Sequence, residues 1–182
     1  GQLTALEAFQ CKKNEFRGNI PLEFVQLKEL VHLDLSHNSF SGIFPFQILS
    51  ELTRLETFII GHNKFTGVVN DNGARTTYAL EVLDIGFNQF EGPFPAHLLK
   101  YSPNMTTFVS PNTCFNGSLS SDVCNARKLQ TLVIPGLTSA CEIPLWKWSP
   151  IMEKQFPAFT VNYMDGNLPQ CVIQLPEMGT LI

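Results

Sequence analysis

A phenylalanine returns along this chain at an almost constant interval, and that period limits what the chain can fold into. The steps between successive members are 24, 25, 25 and 25 residues. An asparagine stands two residues before the ring in the first four units, and a glycine stands two residues after it in all five. A repeat of roughly 20–50 residues indicates a solenoid, in which each unit buries its apolar face only against its neighbours. The three columns are Phe16, Phe40, Phe65, Phe90 and Phe115; Asn14, Asn38, Asn63 and Asn88; and Gly18, Gly42, Gly67, Gly92 and Gly117.

An alternating apolar run opens each unit, as in Leu30, Leu33 and Leu35 of the second. Such alternation predicts a short strand with one buried face. After the glycine, an apolar residue usually precedes proline, as in Ile20 and Pro21. The fixed φ of proline suits a position whose backbone N–H is not needed for pairing between strands. Each unit is therefore predicted to consist of a strand, a turn and an irregular or short helical return. Within it, the Asn side chains satisfy backbone groups of neighbouring turns, and the Phe rings stack as a spine in the core.

The combined pattern, LxxLxLxxNxFxGxIP, resembles the plant-type subclass of the leucine-rich repeat over roughly residues 3–148. The resemblance implies an α/β solenoid with a curved parallel β-sheet on the concave side and 3₁₀, short helical or irregular segments on the convex side. It also implies a binding role, which in this family is common in extracellular receptor ectodomains and secreted recognition proteins. We predict about six repeat units in residues 1–148 and an irregular C-terminal capping segment in residues 149–182, with room for one degenerate repeat.

Three departures from the pattern carry predictions of their own. The third unit lacks the proline step and continues as DNGARTTYA, which indicates an irregular surface loop. The sixth unit is degenerate, with Leu137, Ser139 and Cys141 at the Asn, Phe and Gly positions. The first unit matches the repeat pattern fully and has no cap before it, so we expect further repeats or another chain to cover its N-terminal edge.

The five cysteines divide into one core thiol and four candidates for disulfide bonds. Cys11 occupies a core position of the first strand and is interpreted as a buried free thiol. The other four allow three connectivities. The simplest pairs Cys114 with Cys124 and Cys141 with Cys171, and the alternative is four reduced cysteines in a cytosolic protein.

Two glycosylation sequons favour the secretory pathway. They begin at Asn104 and Asn116, and they gain weight from the cysteine placement and the repeat type. We therefore predict an extracellular, secreted or lumenal protein, with the ectodomain of a membrane-anchored protein as one form of it. No apolar run in the sequence is long enough to span a bilayer, so an anchor is expected only outside this chain.

Side chains between the core positions of each strand point to the concave face, where we place the candidate ligand site. Early units are polar and charged on this face and later units are apolar, which is typical of an interaction surface. The alternative is a scatter of β-branched residues that reflects strand propensity alone. His37 and His62 share a column, and neighbouring strands should bring them about 5 Å apart. The predicted ligand-binding residues are Asp34, His37, Ile59, His62, Val82, Asp84, Phe87 and Val109.

Catalytic, metal and cofactor chemistry find little support in the sequence. The His pair with Asp34 would form a metal or pH-sensitive site, but a solvated polar face is favoured because no tight ligand motif is present. His32, Asp34 and Ser36 contain the residue types of a hydrolytic triad, but nothing supplies an oxyanion hole. We predict no catalytic residue, no metal and no cofactor. The net charge of −4 is mild and gives no nucleic-acid footprint.

The leading functional hypothesis is a non-catalytic recognition module that binds a protein, a peptide or a glycan through the concave face or an edge. The alternative is a structural subunit that docks in a larger complex through its uncapped N-terminal edge. An enzyme ranks third. The small basic patch of Lys12, Lys13 and Arg17 is interpreted as a solvated face that would also suit an acidic partner.

Overall fold

Two parallel β-sheets run side by side through the coils of this chain. The computed structural model describes residues 3–70, 77–134, 163–165 and 167–181. In this part of the chain, seven strands of two or three residues form the main sheet, in the order β1-β3-β5-β7-β9-β11-β13. These strands are β1 Ala8–Gln10, β3 His32–Asp34, β5 Thr57–Ile59, β7 Val82–Asp84, β9 Thr107–Val109, β11 Thr131–Val133 and β13 Thr180–Leu181.

A six-stranded side sheet carries the repeated Phe and Gly positions. Its order is β2-β4-β6-β8-β10-β12, so each coil adds one parallel strand to each sheet. The strands are β2 Arg17–Gly18, β4 Ser39–Ile43, β6 Lys64–Val68, β8 Gln89–Pro93, β10 Cys114–Ser118 and β12 Tyr163–Asp165.

Short helical turns return the chain from the side sheet to the main sheet. Gly67 has φ +92° where the chain leaves β6, a conformation that glycine adopts without strain, and a Cβ there would also approach Ile43 to 3.3 Å. Of the loop predicted at DNGARTTYA, residues 71–76 lie outside the described residues. The returns are the 3₁₀ helices Leu22–Gln26, Ser121–Asn125 and Gln170–Gln174 and the α-helices α1 Ile48–Glu51 and α2 Ala96–Lys100.

The Phe column forms a stacked spine in the core. The rings of Phe16, Phe40, Phe65 and Phe90 stack in sequence, with centroids 6.0, 6.1 and 6.3 Å apart. Phe65 and Phe90 are fully buried, whereas Phe16 of the first coil is 51% exposed because it has a ring neighbour on one side only. Burial of rings from successive coils ties each repeat to the next.

The Asn column joins neighbouring coils through backbone hydrogen bonds. The amide of Asn63 donates to the carbonyl oxygens of Ile60 in its own coil (3.1 Å) and Leu35 in the preceding coil (3.0 Å). Its carbonyl oxygen accepts from the backbone N–H of Phe40 at 3.0 Å. Asn38 and Asn88 repeat this arrangement. Asn14 is exposed, and its side-chain amide donates to the carbonyl oxygens of Cys11 and Lys12 in its own coil.

The sixth coil contains an insertion. β12 pairs directly with β10, so it takes the side-sheet place of the sixth coil. Seven residues separate Val109 from Asn116 in the fifth coil, whereas thirty separate Val133 from Tyr163 at the corresponding positions of the sixth. About 23 extra residues therefore enter between the main strand and the side strand of this coil.

This insertion corrects the repeat assignment. Leu137, Ser139 and Cys141 were predicted at the side-strand positions of the sixth unit, but they lie outside the described residues, and β12 is the strand that continues the ladder from β10. Pattern matching failed here because it assumed an unbroken period of 24–25 residues. The division of the chain into residues 1–148 and 149–182 stays a prediction.

The predicted disulfide pairing is wrong. Cys124 bonds to Cys171, with Cα atoms 5.7 Å apart and a sequence separation of 47 residues. Both lie in 3₁₀ returns that become neighbours once the insertion is passed, whereas Cys114 lies on the side strand of the same coil as Cys124. Cys114 is itself disulfide-bonded, and Cys141 lies outside the described residues. Cys11 is a free thiol, as predicted, and is half-buried.

Candidate functional site

The residue before each ladder position has a left-handed backbone. The values of φ are +55° at Lys13, +53° at His37, +56° at His62, +51° at Phe87 and +51° at Asn112. This conformation turns the chain from the main sheet toward the side sheet in every coil. Asn and His adopt it several times more often than other side chains do, and a bulky residue there is an outlier. The left-handed region costs an ordinary residue roughly 1–2 kcal/mol, which makes Phe87 the unexpected member of this column.

Three rings of this column stack on one another along the edge of the main sheet. The ring centroids of His37 and His62 are 4.1 Å apart with an interplanar angle of 12°, as the sequence predicted for neighbours in one column. Those of His62 and Phe87 are 4.0 Å apart at 13°. We call His37, His62 and Phe87 the ring column. Phe87 is 41% exposed, so the column presents ring edges to solvent.

His62, the central residue of the ring column, is harder to protonate than a free histidine. Burial lowers the pKa of His62 below 6.5, and the charge of His37 lowers it further. Stacked imidazoles disfavour two positive charges at 4.1 Å. The lowered pKa of His62 therefore favours the neutral ring at neutral pH.

Asp34 is part of the concave face, but its carboxylate is already occupied. It is buried, and one oxygen accepts from the backbone N–H of Ser36 at 3.0 Å and from the Ser36 hydroxyl at 2.6 Å. The other oxygen lies 3.6 Å from the ammonium of Lys12 in the preceding coil. Of the residues considered for a hydrolytic triad, Ser36 thus holds Asp34 by hydrogen bonds, and His32 is exposed.

Asp84 occupies the position of Asp34 two coils further on, and its negative charge has few compensating partners. One oxygen accepts from the backbone N–H of Gly86 at 2.9 Å. Burial raises the pKa of Asp84 above 3.8; the Gly86 hydrogen bond lowers it in part, Asp34 raises it, and His37 lowers it. A carboxylate that is both desolvated and short of partners marks a candidate functional position.

Apolar side chains surround Asp84 on the same face. Ile59 and Val109 are its register partners on the two neighbouring strands, and Val82 lies two residues before it on β7. All three are half-buried. The structure therefore brings the sequence-predicted residues of the third to fifth coils together around Asp84, while Asp34 lies at one margin and is closed off.

Sequence reasoning missed two features of this face. It did not identify the shared left-handed backbone of the strand-exit column, although the identity of the residue before each ladder Asn was a usable signal. It also passed over Gly61 and Gly86, which give Asp84 no side-chain partner: the carboxylate lies against the Gly61 position and Pro111 against the Gly86 position. No pattern in the sequence distinguishes a glycine that withholds a partner from one that only makes a turn.

An apolar groove opens at the N-terminal edge. It has a volume of about 290 Å³ and is lined by side chains of the first coil, including Leu6, Phe9, Phe24 and Leu27. Leu22 on the same coil is 59% exposed. The groove is the open end of the hydrophobic core among the described residues, and the covering of this edge by further repeats or another chain stays a prediction.

Other site chemistry was sought in the described part of the chain. No cluster of three or more His, Cys, Asp or Glu side chains there has the arrangement of a metal site. None of the helices among the described residues is long and apolar enough to cross a membrane. Both sequon residues, Asn104 and Asn116, are exposed, and Asn104 accepts a hydrogen bond from Lys128 at 2.8 Å.

Comparison with known proteins gives the same class as the geometry. The sequence model described as Leucine Rich Repeat matches residues 29–50. Receptor-like protein 36 of Arabidopsis thaliana is 36% identical over 67 residues, which are 37% of this chain and 9% of that protein. Receptor-like protein 13 of the same plant is 38% identical over 64 residues, or 35% of this chain and 6% of the relative. This chain matches less than a tenth of the length of these two relatives.

Solved structures of plant ectodomains share the fold. PEPR1-AtPEP1 aligns with a TM-score of 0.63 and 27% identity over 71% of this chain and 18% of that one. The ectodomain of the Arabidopsis receptor kinase HAESA, in complex with an N-terminal extended IDA peptide hormone ligand, aligns with a TM-score of 0.67 and 23% identity over 94% of this chain and 28% of that one.

The two parallel sheets, the Asn ladder and the Phe spine define a leucine-rich-repeat solenoid. Its repeats are of the plant type, and the domain resembles the leucine-rich-repeat regions of plant receptor-like proteins.

Proposed function

We propose that this chain is part of an extracellular recognition module that binds an extended peptide on the concave face, with the ring column as its principal contact. The observation that carries the proposal is Phe87. Its ring is 41% exposed on a backbone with φ +51°, where both solvation and conformation disfavour a phenylalanine. Strained residues and exposed aromatic side chains concentrate at binding sites. The apolar strip of Ile59, Val82 and Val109 gives such a peptide a continuous surface beside the rings.

The comparisons support this role at the level of the class. RGFR1, a neighbour in fold, is described as a plant peptide hormone receptor in complex with RGF2, and HAESA is described with a peptide hormone ligand. Receptor-like relatives also favour an extracellular location for this domain, and the Cys124–Cys171 bond is compatible with an oxidising compartment. Glycans on the exposed Asn104 and Asn116 belong to the same proposal.

A displayed library of random peptides tests the proposed function. The immobilised 182-residue chain should enrich a family of sequences, and one synthetic member should then bind with a saturable isotherm. Phe87→Ala should weaken this peptide at least about fivefold, because a central aromatic contact contributes roughly 1 kcal/mol or more. Val68→Ala, which truncates an exposed apolar residue of the side sheet, is the matched control and should leave affinity unchanged. Enrichment of nothing, or equal losses with both variants, would remove the concave face as the site.

A second candidate function rests on the N-terminal groove. The groove of about 290 Å³ and the exposed Leu3 and Leu22 favour an assembly role, in which this edge packs against another leucine-rich coil. A native pull-down separates the two roles. A stoichiometric partner that is lost on Leu22→Asp and kept on Phe87→Ala indicates assembly, and the reverse pattern indicates peptide recognition.

A further inference from the structure

The concave face carries two aspartates at the same repeat position, and they differ in their partners. Asp34 pairs in register with Ile59, and Ile59 pairs in turn with Asp84. Two strand spacings of roughly 4.8 Å separate them. Since they occupy equivalent points of the same sheet, the partners of one show what the other position can accommodate.

Asp34 is neutralised from within the chain. Ser36 supplies a backbone N–H and a hydroxyl to one oxygen, at 3.0 and 2.6 Å, and the Lys12 ammonium lies 3.6 Å from the other. Lys12 belongs to the preceding coil and stands in the same column as Ser36. The site therefore consists of a carboxylate, a hydroxyl and a cation from the neighbouring coil.

Asp84 lacks both side-chain partners. Ser36 is replaced by Gly86, which provides only its N–H at 2.9 Å, and Lys12 is replaced by Gly61 of the preceding coil. The Asp84 carboxylate lies over Gly61, where an added Cβ would come within 2.8 Å of Oδ1. Among the described residues, Asp84 forms none of the ion pairs within 4.0 Å. The two glycines thus give Asp84 no side-chain donor and no cation, and the partly buried carboxylate lies against the backbone of Gly61.

The side chains around Asp84 suit a long cationic side chain. Ile59, Val82 and Val109 offer apolar surface for an aliphatic stem, and His62 of the ring column follows Gly61 directly in the chain. Lysine and arginine bury such stems on apolar surface while the charged end reaches a polar partner. A desolvated carboxylate with an open oxygen is a strong acceptor for that end.

We propose that the unpaired carboxylate of Asp84, between Gly61 and Gly86, binds the cationic side chain of a lysine or arginine of the peptide partner, in the role that Lys12 has beside Asp34. The inference rests on the proposed peptide-binding function and names the chemistry that the peptide must present. It makes this subsite a determinant of specificity, because a neutral or acidic residue at that position would leave the carboxylate desolvated and unpaired.

The subsite has a defined dependence on pH. A bound cation favours the charged carboxylate, so binding lowers the raised pKa of Asp84, and affinity falls as the pH drops through that pKa. The other groups that act on Asp84 are Asp34 and His37. His62 beside Gly61 gains positive charge at low pH and opposes the cation, so its effect has the same sign. Lys12 remains engaged with Asp34.

Small cations test the subsite without the peptide. We would titrate the 182-residue chain at low salt with n-butylammonium and with ethylguanidinium, using n-butanol as the uncharged control. The readouts are the backbone amide shifts of Gly61 and Gly86 and the pKa of the Asp84 carboxyl, followed by NMR. Both cations should shift these amides saturably and lower the pKa of Asp84, and butanol should do neither. Asp84→Asn should weaken cation binding at least about tenfold, and Asp34→Asn should change it less than about twofold.

An internal cation provides the sharper variant. Gly61→Lys places an ammonium where Lys12 stands in the first coil, and the clash it creates is with the movable carboxylate oxygens of Asp84. It should lower the pKa of Asp84 and abolish cation binding, whereas Gly61→Ala should reduce binding without lowering that pKa. Gly86→Ser is unsuitable because its Cβ would lie 2.5 Å from Pro111 Cδ.

The results separate the subsite from the proposed function. Equal cation binding by the parent chain and Asp84→Asn, or no response at Gly61 and Gly86, overturns the subsite whether or not peptides bind. In the peptide selection, enriched sequences that keep their affinity on Asp84→Asn overturn it as well. If the peptide selection fails but the chain still binds the small cations, the result counts only against the proposed peptide-binding function.

Discussion

Phe87 combines a left-handed backbone with a half-exposed aromatic ring, and each feature alone disfavours phenylalanine. His62 and Asn112 occupy the same column with residue types that tolerate this backbone better. The stacking of Phe87 on His62 recovers part of the strain, since an aromatic pair contributes roughly 0.5–1.5 kcal/mol. Folding gains little from a phenylalanine here, so binding is the better reason for its presence.

Replacement of Phe87 by asparagine should therefore separate binding from stability. Relief of roughly 1–2 kcal/mol of backbone strain offsets the lost stacking, so Phe87→Asn should leave the free energy of unfolding within about 1 kcal/mol of the parent chain. Affinity for a selected peptide should fall at least about fivefold. Urea denaturation and titration calorimetry measure the two quantities. A loss of stability above about 2 kcal/mol would show that the ring serves the fold instead.

The titration of Asp84 and His62 should appear in the pH profile of stability. The folded pKa of Asp84 lies above 3.8, so the unfolded chain loses this proton first and stability falls as the pH rises from 3.8 through the folded pKa. Asp84→Asn should consequently be more stable than the parent chain at pH 7, and this advantage should vanish below pH 3.8. The folded pKa of His62 lies below 6.5, so its contribution is present above pH 6.5 and is lost as the pH falls through the folded value; His62→Gln should remove this loss. Urea unfolding from pH 3 to pH 8 measures both, and parallel profiles for all three proteins would contradict the assignment.

The coil, with one strand in each sheet and one return, cannot be stable alone, because its strands contain five residues or fewer. The Asn column and the Phe column connect neighbouring coils. Asn88 is buried and holds its own coil and the preceding one through bonds to Ile85, Ile60 and the N–H of Phe65. Each coil is therefore stabilised mainly by its neighbours, as expected of a solenoid.

Loss of one buried ladder amide should be costly. Asn88→Ala removes the acceptor of the Phe65 N–H and the amide donor to the carbonyl oxygens of Ile85 and Ile60, of which Ile60 keeps its bond from Asn63, so we expect a loss of about 3 kcal/mol in the free energy of unfolding. Asn14→Ala removes only two exposed bonds within the first coil and should cost less than about 0.5 kcal/mol. Chemical denaturation compares the pair directly. Similar losses in the two variants would mean that the ladder does not couple the coils.

Across the molecule, the described coils end in two different ways. The N-terminal coil exposes Leu3, Phe16 and Leu22 around an apolar groove. At the other end, the sixth coil resumes after its insertion and is fastened by the Cys124–Cys171 bond, while β13 adds a further strand to the main sheet. The C-terminal side is thus tied covalently to the fifth coil, whereas the N-terminal side presents apolar surface.

The disulfide bond should stabilise the C-terminal coils. Cys124→Ser/Cys171→Ser should lower the free energy of unfolding by about 2–4 kcal/mol, because the bond closes a loop of 47 residues in the unfolded chain. Cys11→Ser alters a free, half-buried thiol and should cost less than about 1 kcal/mol. Thermal and urea unfolding give the values, and non-reducing peptide mapping gives the pairing. A Cys114–Cys124 peptide in that map would refute the assignment made here.

The exposed N-terminal groove should drive association of the isolated chain. We expect concentration-dependent self-association in sedimentation equilibrium, and Leu3→Asp/Leu22→Asp should suppress it because both side chains are more than half exposed. Ile43→Asp, at 73% exposure on the side sheet, is the control and should leave association unchanged. A parent chain that stays monomeric at millimolar concentration, or an Ile43 variant that is equally effective, would exclude this edge.

The fold class could be predicted from the repeat alone, because a period of 24–25 residues with Asn, Phe and Gly in register permits few structures other than a stacked solenoid. It also placed His37 beside His62 correctly, since residues one repeat apart become neighbours across parallel strands. These inferences need only local spacing. They hold wherever the period holds.

Features that depend on a broken period or on the partners of a side chain became clear only from the three-dimensional fold. The sixth coil resumes after its insertion with the return of Cys171 next to Cys124, so a pairing chosen by nearness in sequence was wrong. Asp34 and Asp84 look alike in the sequence, yet Lys12 and Ser36 pair with one carboxylate while the two glycines beside the other supply no side-chain partner. The reason is physical: partners across coils are set by which column a side chain occupies and by the volume its neighbours leave, and a pattern of residue types records neither.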